Sequence, residues 1–221
     1  RHPIALEDIS PFFTKAITAV EDSRFYRHSG IDHRGLVRAL WINIRKKRIA
    51  QGGSTITQQL SKNLFFSFER NWMRKIKELL IAFQLEATFN KDQILEAYCN
   101  QIYFGSGAYG VEEAAQVYFR KRARDLTLLQ AALLAGLPNS PNNANPFSHY
   151  ERAMQRTEYV LNRMVSENLI TINERELALQ SNIDMVNPRV ESDPNLYFVN
   201  QVLEQIEKDY GKEFVHFGGL K

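Results

Sequence analysis

Four times along this chain a capping residue is followed three positions later by Gln or Glu: Asn90–Gln93, Thr127–Gln130, Ser148–Glu151 and Thr171–Glu174. In that spacing two side chains satisfy backbone N–H groups that a helix start leaves unpaired, so each pair predicts a helix. Ser10-Pro11 adds another start, with Pro at the first helical position, and its helix is expected to reach about Glu21. Apolar residues at 36, 37, 40, 41 and 44 keep a helical period from His33 to about Arg48. Ser54 or Thr55 can cap a short helix through Leu60, and Arg70 to Phe89 reads as a longer one. The helix begun at Thr127 is expected to stop at Gly136, with Pro138 just beyond. No sustained period-two alternation precedes residue 180, so the fold class is all-α.

A chain of 221 residues holds one or two domains. With 44% hydrophobic and 24% charged residues it has the makings of a packed core and is not a disordered chain. A single cysteine, Cys99, excludes a disulfide framework and reads as an inert core thiol. Mean hydropathy is −0.37, and no apolar run reaches the roughly 18 residues of a membrane-crossing helix. Residues 139–146 form a turn-rich crossing. Residues 1–180 are expected to form the core domain. Residues 182–195 read as a connector, and 195–209 as one more helix ended by Gly211.

The net charge of +3 hides an uneven distribution. Residues 34–77 carry 11 cations and one carboxylate, Glu69, a local balance of +10 that leaves −7 for the remainder. Leu36, Val37, Leu40, Trp41, Ile44, Phe65, Phe66, Phe68, Trp72 and Met73 are interleaved with these cations. Such a mixture suits an anionic membrane interface, suits nucleic acid through stacking, or is simply a solvated basic face above an ordinary core.

Four stretches can carry chemistry. Glu21-Asp22 precedes Phe25, His28 and Gly30. A carboxylate beside apolar rings is held protonated to higher pH and can serve as a base; a surface pair balanced by Arg24 and Arg27 would look the same. Gly52-Gly53-Ser54-Thr55 opens a helix whose N–H groups can bind an anion, or is plain N-capping. The polar run Gln58, Gln59, Lys62, Asn63 exceeds what a cap requires. Arg74, Lys75 and Glu78 set cations beside a second carboxylate, or form a surface ion pair. Glu96, Tyr98 and Asn100 read as scaffold. His2, His28 and His33 are not spaced as metal ligands, so no protein-built metal site is expected.

In order and content these stretches resemble the peptidoglycan glycosyltransferase family, the glycan-polymerising domain of class A penicillin-binding proteins. The resemblance rests on Glu21, Asp22, Phe25, His28 and Gly30, then Gly52, Ser54, Thr55, Ile56, Gln59, Lys62 and Asn63. It continues through Arg74, Lys75 and Glu78, then Lys91, Ile94, Leu95, Glu96, Tyr98 and Asn100, and Ala131 to Pro138 with Pro141. It covers about residues 5–165 without a departure at a motif position.

The resemblance implies a lysozyme-like fold of two lobes, the smaller a membrane-dipping jaw at about residues 34–73. It implies lipid II and the growing lipid-linked glycan as substrates, joined β-1,4 with inversion and release of undecaprenyl pyrophosphate. Glu21 is then the base and Glu78 a second catalytic carboxylate. Asp22, Phe25, His28, Ser54, Thr55, Gln59, Lys62, Asn63, Arg70, Arg74 and Lys75 are implied substrate-site residues. No tightly bound cofactor is implied, although a divalent Mg or Mn ion assisting the leaving group fits the family. The other implied partners are the membrane surface and a transpeptidase domain of the same parent chain, with no nucleic acid. Residues 181–221 would begin the linker to that domain. The implied location is the outer, periplasmic face of the bacterial cytoplasmic membrane, anchored by a helix upstream of this chain. Two rival readings are a lysozyme-like lytic enzyme and a non-catalytic module that docks on anionic lipid.

Overall fold

The computed structural model describes residues 3–46, 52–66, 72–138 and 143–186, with 201, 202 and 205. Residues 1–185 form one compact unit and 186–221 a second. Nine α-helices run through the described part of the first: α1 (Pro11–Glu21), α2 (His33–Lys46), α3 (Ile56–Phe65), α4 (Trp72–Thr88), α5 (Lys91–Gln101), α6 (Val111–Phe119), α7 (Leu128–Gly136), α8 (Tyr150–Ser166) and α9 (Ile172–Gln180). Among the described residues the only strand-like feature is an isolated antiparallel bridge, Tyr103 with Tyr109. The all-α expectation is met. Most of the helix expected over 195–209 lies outside the described residues.

Three of the four capping pairs close as expected, at Asn90–Gln93, Thr127–Gln130 and Thr171–Glu174. Thr55, not Ser54, caps α3, and closes a further box with Gln58. Ser148–Glu151 is the exception: α8 begins at Tyr150 with His149 as its N-cap. Asn145 is the cause. Its side chain accepts the Phe147 N–H at 2.9 Å, and its carbonyl accepts from Ser148 and His149, so the chain turns one residue later than the motif suggests. Ser10 does not cap α1 with its side chain; its hydroxyl instead donates to the Leu126 carbonyl at 3.0 Å. The short helix at 56 runs on to Phe65, past the expected Leu60.

α7 is the axis of the core. Its sequence is apolar on nearly every face, and every residue from Leu129 to Gly136 is buried. A helix apolar all round must be covered on several sides, and α1 and α8 pack along it. α3 packs on α4 and α5. Phe13, Phe25, Phe104, Tyr98 and Tyr118 fill the interior with little or no exposure. Cys99 lies among them, where burial raises its thiol pKa, as an inert core cysteine requires. α6 lacks a sequence cap: Gly110 precedes it at φ 88°, and Arg120 ends it in the left-handed region at φ 54°.

Gly110 also passes so close to α5 that an added Cβ would sit 2.8 Å from the Asn100 carbonyl oxygen. Both the positive φ and this contact demand glycine. Gly110→Ala is therefore expected to destabilise the fold by about 1–3 kcal/mol, measurable as a lowered urea midpoint with an unchanged m-value.

Candidate active site

The last turn of α1 delivers Glu21 and Asp22 to the side of a cleft of about 720 Å³. Asp22 is the tie that forms the site. It is 7% exposed, accepts the Ile56 N–H at 3.1 Å and lies 2.9 and 3.0 Å from His28 Nε2. One carboxylate thus joins the end of α1, the start of α3 and the loop that follows α1. Thr55 Oγ1 and Gln58 Nε2 donate to the Gly30 carbonyl at 2.7 and 3.3 Å, completing the joint. These bonds occupy the helix start differently from the anion site expected there. The Ile56 and Gln58 N–H groups are already taken by Asp22 and Thr55.

Held this way, Glu21 faces α3. Gln59 Nε2 donates to Glu21 Oε2 at 2.9 Å, while the Tyr98 hydroxyl donates to Gln59 Oε1 at 3.2 Å. Tyr98 is fully buried and its pKa is raised far above the usual value by burial, with the Glu21 charge adding to it. It therefore remains a hydroxyl donor, and that fixes the Gln59 amide with its NH₂ toward the carboxylate. The Glu21 pKa is itself raised. Burial is the main cause; the Gln59 bond, Arg156 and Lys62 pull it down, and Asp22 pushes it up.

The cleft wall also carries cations. Lys75 Nζ donates to Ser54 Oγ at 3.2 Å and to Glu78 Oε2 at 3.1 Å. Arg74 Nε lies 3.0 Å from Glu78 Oε1. Glu78 is 2% exposed, so its carboxylate is buried beneath two partly exposed cations and is not the surface ion pair that spacing alone also allowed. Ser54, Gln59, Lys62, Lys75 and Glu78 all line the cleft with Glu21. Among the described residues no group of three or more His, Cys, Asp or Glu converges as a metal site would require.

Other expected site residues lie elsewhere. Phe25 is 1% exposed and is not in the cleft wall: Lys91 Nζ sits 4.4 Å from its ring centroid. Lys91 also pairs with Glu86 at 2.7 Å, and Glu86 accepts from Thr57, so three helices are pinned to that turn. The His28 side chain is 6% exposed and turned onto Asp22. Thr55 is buried by its cap and its bond to Gly30, though its atoms border the cleft. Asn63 and Arg74 stand outside the cleft wall. Arg70 lies outside the described residues. Glu96 and Asn100 act as scaffold, as read from sequence: they bond the backbone of Leu6 and Ile4.

Sequence reasoning anticipated α8 as a helix but missed its part in the site. Arg152, Arg156 and Arg163 all line the cleft. Arg156 Nε reaches the Gly136 carbonyl at the end of α7, and Arg163 reaches the Ala19 carbonyl in the last turn of α1. Cations there suit the negative ends of two helices. The signal was present as arginines at helical spacing four and seven apart, 152, 156 and 163.

A family profile described as transglycosylase matches residues 1–165. Penicillin-binding protein 1A of Aquifex aeolicus is 48% identical over 223 residues, covering 100% of this chain and 30% of that protein. Penicillin-binding protein 1A of Neisseria gonorrhoeae is 42% identical over 207 residues, covering 93% and 26%. The chain thus spans less than a third of either relative. A crystal structure of Penicillin-Binding Protein 1A from Haemophilus influenzae matches 97% of this chain and 22% of that one, at TM-score 0.53 and 26% identity. The resemblance read from four motifs therefore stands, and the chain belongs to the transglycosylase family.

Proposed function

We propose that this chain polymerises lipid II into β-1,4-linked glycan, with release of undecaprenyl pyrophosphate, at the outer face of a bacterial cytoplasmic membrane. The observation that carries this reading is a partly buried carboxylate, Glu21, in a cleft that also presents Lys62 and Lys75. A glycosyl transfer to a sugar hydroxyl needs a base there, and a pyrophosphate leaving group needs cations.

Glu21 removes the proton from the acceptor 4-hydroxyl as that oxygen attacks the donor anomeric carbon. The bond to pyrophosphate breaks with its electron pair on the phosphate oxygen, and the anomeric centre inverts through an oxocarbenium-like transition state. Lys62 and Lys75 stabilise the departing charge. Glu78 is a positioning residue in this scheme: between Arg74 and Lys75, it aims the Lys75 ammonium at Ser54 and the cleft.

Exposed apolar side chains support a membrane-facing surface on the basic region. Leu36, Val37, Trp41 and Ile44 of α2 and Trp72, Met73, Ile76 and Leu80 of α4 are each at least half exposed. No described helix is long and apolar enough to cross a bilayer. An exposed apolar set beside cations suits seating in the lipid interface. A transpeptidase domain in the same parent chain fits the greater length of the relatives.

Glu21→Gln is expected to lower the polymerisation rate on lipid II by about 10²–10⁴-fold while leaving binding of moenomycin intact; polymerisation near the wild-type rate would remove Glu21 as the base. The same change bears on stability. Because the folded-state pKa is raised above 4.5, the folded protein binds the proton more tightly than the unfolded chain. Stability from this group is full at low pH and is lost as pH rises through the folded pKa. The Gln variant should thus melt at a higher temperature than wild type at pH 7 and show no such advantage below pH 4.5.

Lys75→Met tests the leaving-group side and should reduce turnover by about 10²–10³-fold. Single-turnover measurement with a preformed glycan donor separates this loss from slower binding.

A further inference from the structure

A second cavity, of about 370 Å³, lies beside the one that holds Glu21. The two share Ala19, Asp22 and Ser23 as walls, so they meet around the last turn of α1. Its other lining residues include Lys15, Arg24 and Arg27. Arg24 is engaged with Asp32 at 3.2 Å. Lys15 and Arg27 are exposed and make no ion pair among the described residues. The carboxylates in the wall are already committed: Asp22 to Ile56 and His28, and Glu167 to Arg163 at 2.7 Å. At the junction of the two cavities Ser23 Oγ is buried without a hydrogen-bond partner. A pocket with spare cations and an unsatisfied hydroxyl is built for an anion with hydrogen-bonding groups. None of its lining residues comes from the basic and apolar stretch 34–77, so it is separate from the surface assigned to lipid.

We infer that this cavity is a subsite for the stem peptide of a saccharide unit bound next to Glu21. The inference rests on the glycosyltransferase reading above and adds to it. Each disaccharide of the substrate carries a peptide on one sugar. In unamidated form that peptide has more carboxylates than amines, and it must leave the cleft near the reacting carbon. The second cavity opens beside that point. Lys15 and Arg27 take the peptide carboxylates, and Ser23 Oγ bonds the peptide backbone at the junction. The subsite holds the sugar in register without touching the reacting atoms, so its contribution falls on binding.

The test compares two substrates on the purified chain in lipid vesicles: lipid II with an unamidated pentapeptide, and the same lipid-linked disaccharide without peptide. Lys15→Gln with Arg27→Gln should raise KM for the peptide-bearing substrate by about tenfold or more and leave its kcat and the peptide-free substrate unchanged. Arg27→Lys should restore most of the loss. Equal effects on both substrates would mean a general change in fold or membrane docking and would overturn the subsite. So would equal kinetics of wild type and variant on the peptide-bearing substrate. If the wild type polymerises neither substrate, the glycosyltransferase reading itself falls and the subsite falls with it.

Discussion

The buried carboxylate of Asp22 is the contact on which the candidate site depends. It is removed from water yet accepts a backbone N–H from the start of α3 and a bond from His28. A buried acceptor left without these partners would be costly, so the joint forms as a unit or not at all. Through it the C-terminus of α1 and the N-terminus of α3 share one geometry. That geometry sets Glu21 opposite Gln59, and Gln59 opposite Tyr98. The chemistry proposed for Glu21 thus depends on its neighbour, which has no direct part in it.

Around this joint the protein keeps two carboxylates in different surroundings. Gln59, Arg156 and Lys62 all favour the charged form of Glu21, yet burial outweighs them and its proton is held to higher pH. Glu78 is more deeply buried, at 2% exposed, and lies between Arg74 and Lys75. In the proposed scheme the first accepts a proton and the second holds a cation in place. Environment separates the roles of chemically identical side chains. The first arrangement sacrifices stability for reactivity, as active sites commonly do.

The motif residues divide along the same line. Phe25, His28 and Thr55 were implied as substrate-site residues, yet with Lys91 they build the support behind the cleft. Lys91 is the clearest case. Its ammonium rests on the Phe25 ring and on Glu86, which also holds Thr57, so residues from three separate stretches of sequence brace one turn. A motif marks residues the site needs, and need includes support as well as contact.

Much of the fold was legible locally. A capping box is closed by residues three apart, so Asn90, Thr127 and Thr171 announced their helices whatever surrounded them. The acidic pair at the end of α1 and the cation-rich stretch that follows were equally plain. α6 was not, because Gly110 begins it by fitting against the Asn100 carbonyl, a contact that spacing does not encode. Ser148 misled for a related reason: the Asn145 side chain decided the turn. By itself the sequence determined the helical class, the helix starts and the candidate carboxylates, since these follow from neighbours a few positions away. Only the tertiary structure decided that Glu21 packs against Gln59, that arginines from α8 enter the same cleft and that a second cationic cavity adjoins it. Those features arise where side chains far apart in the chain converge, and their burial and charge are properties of the packed assembly.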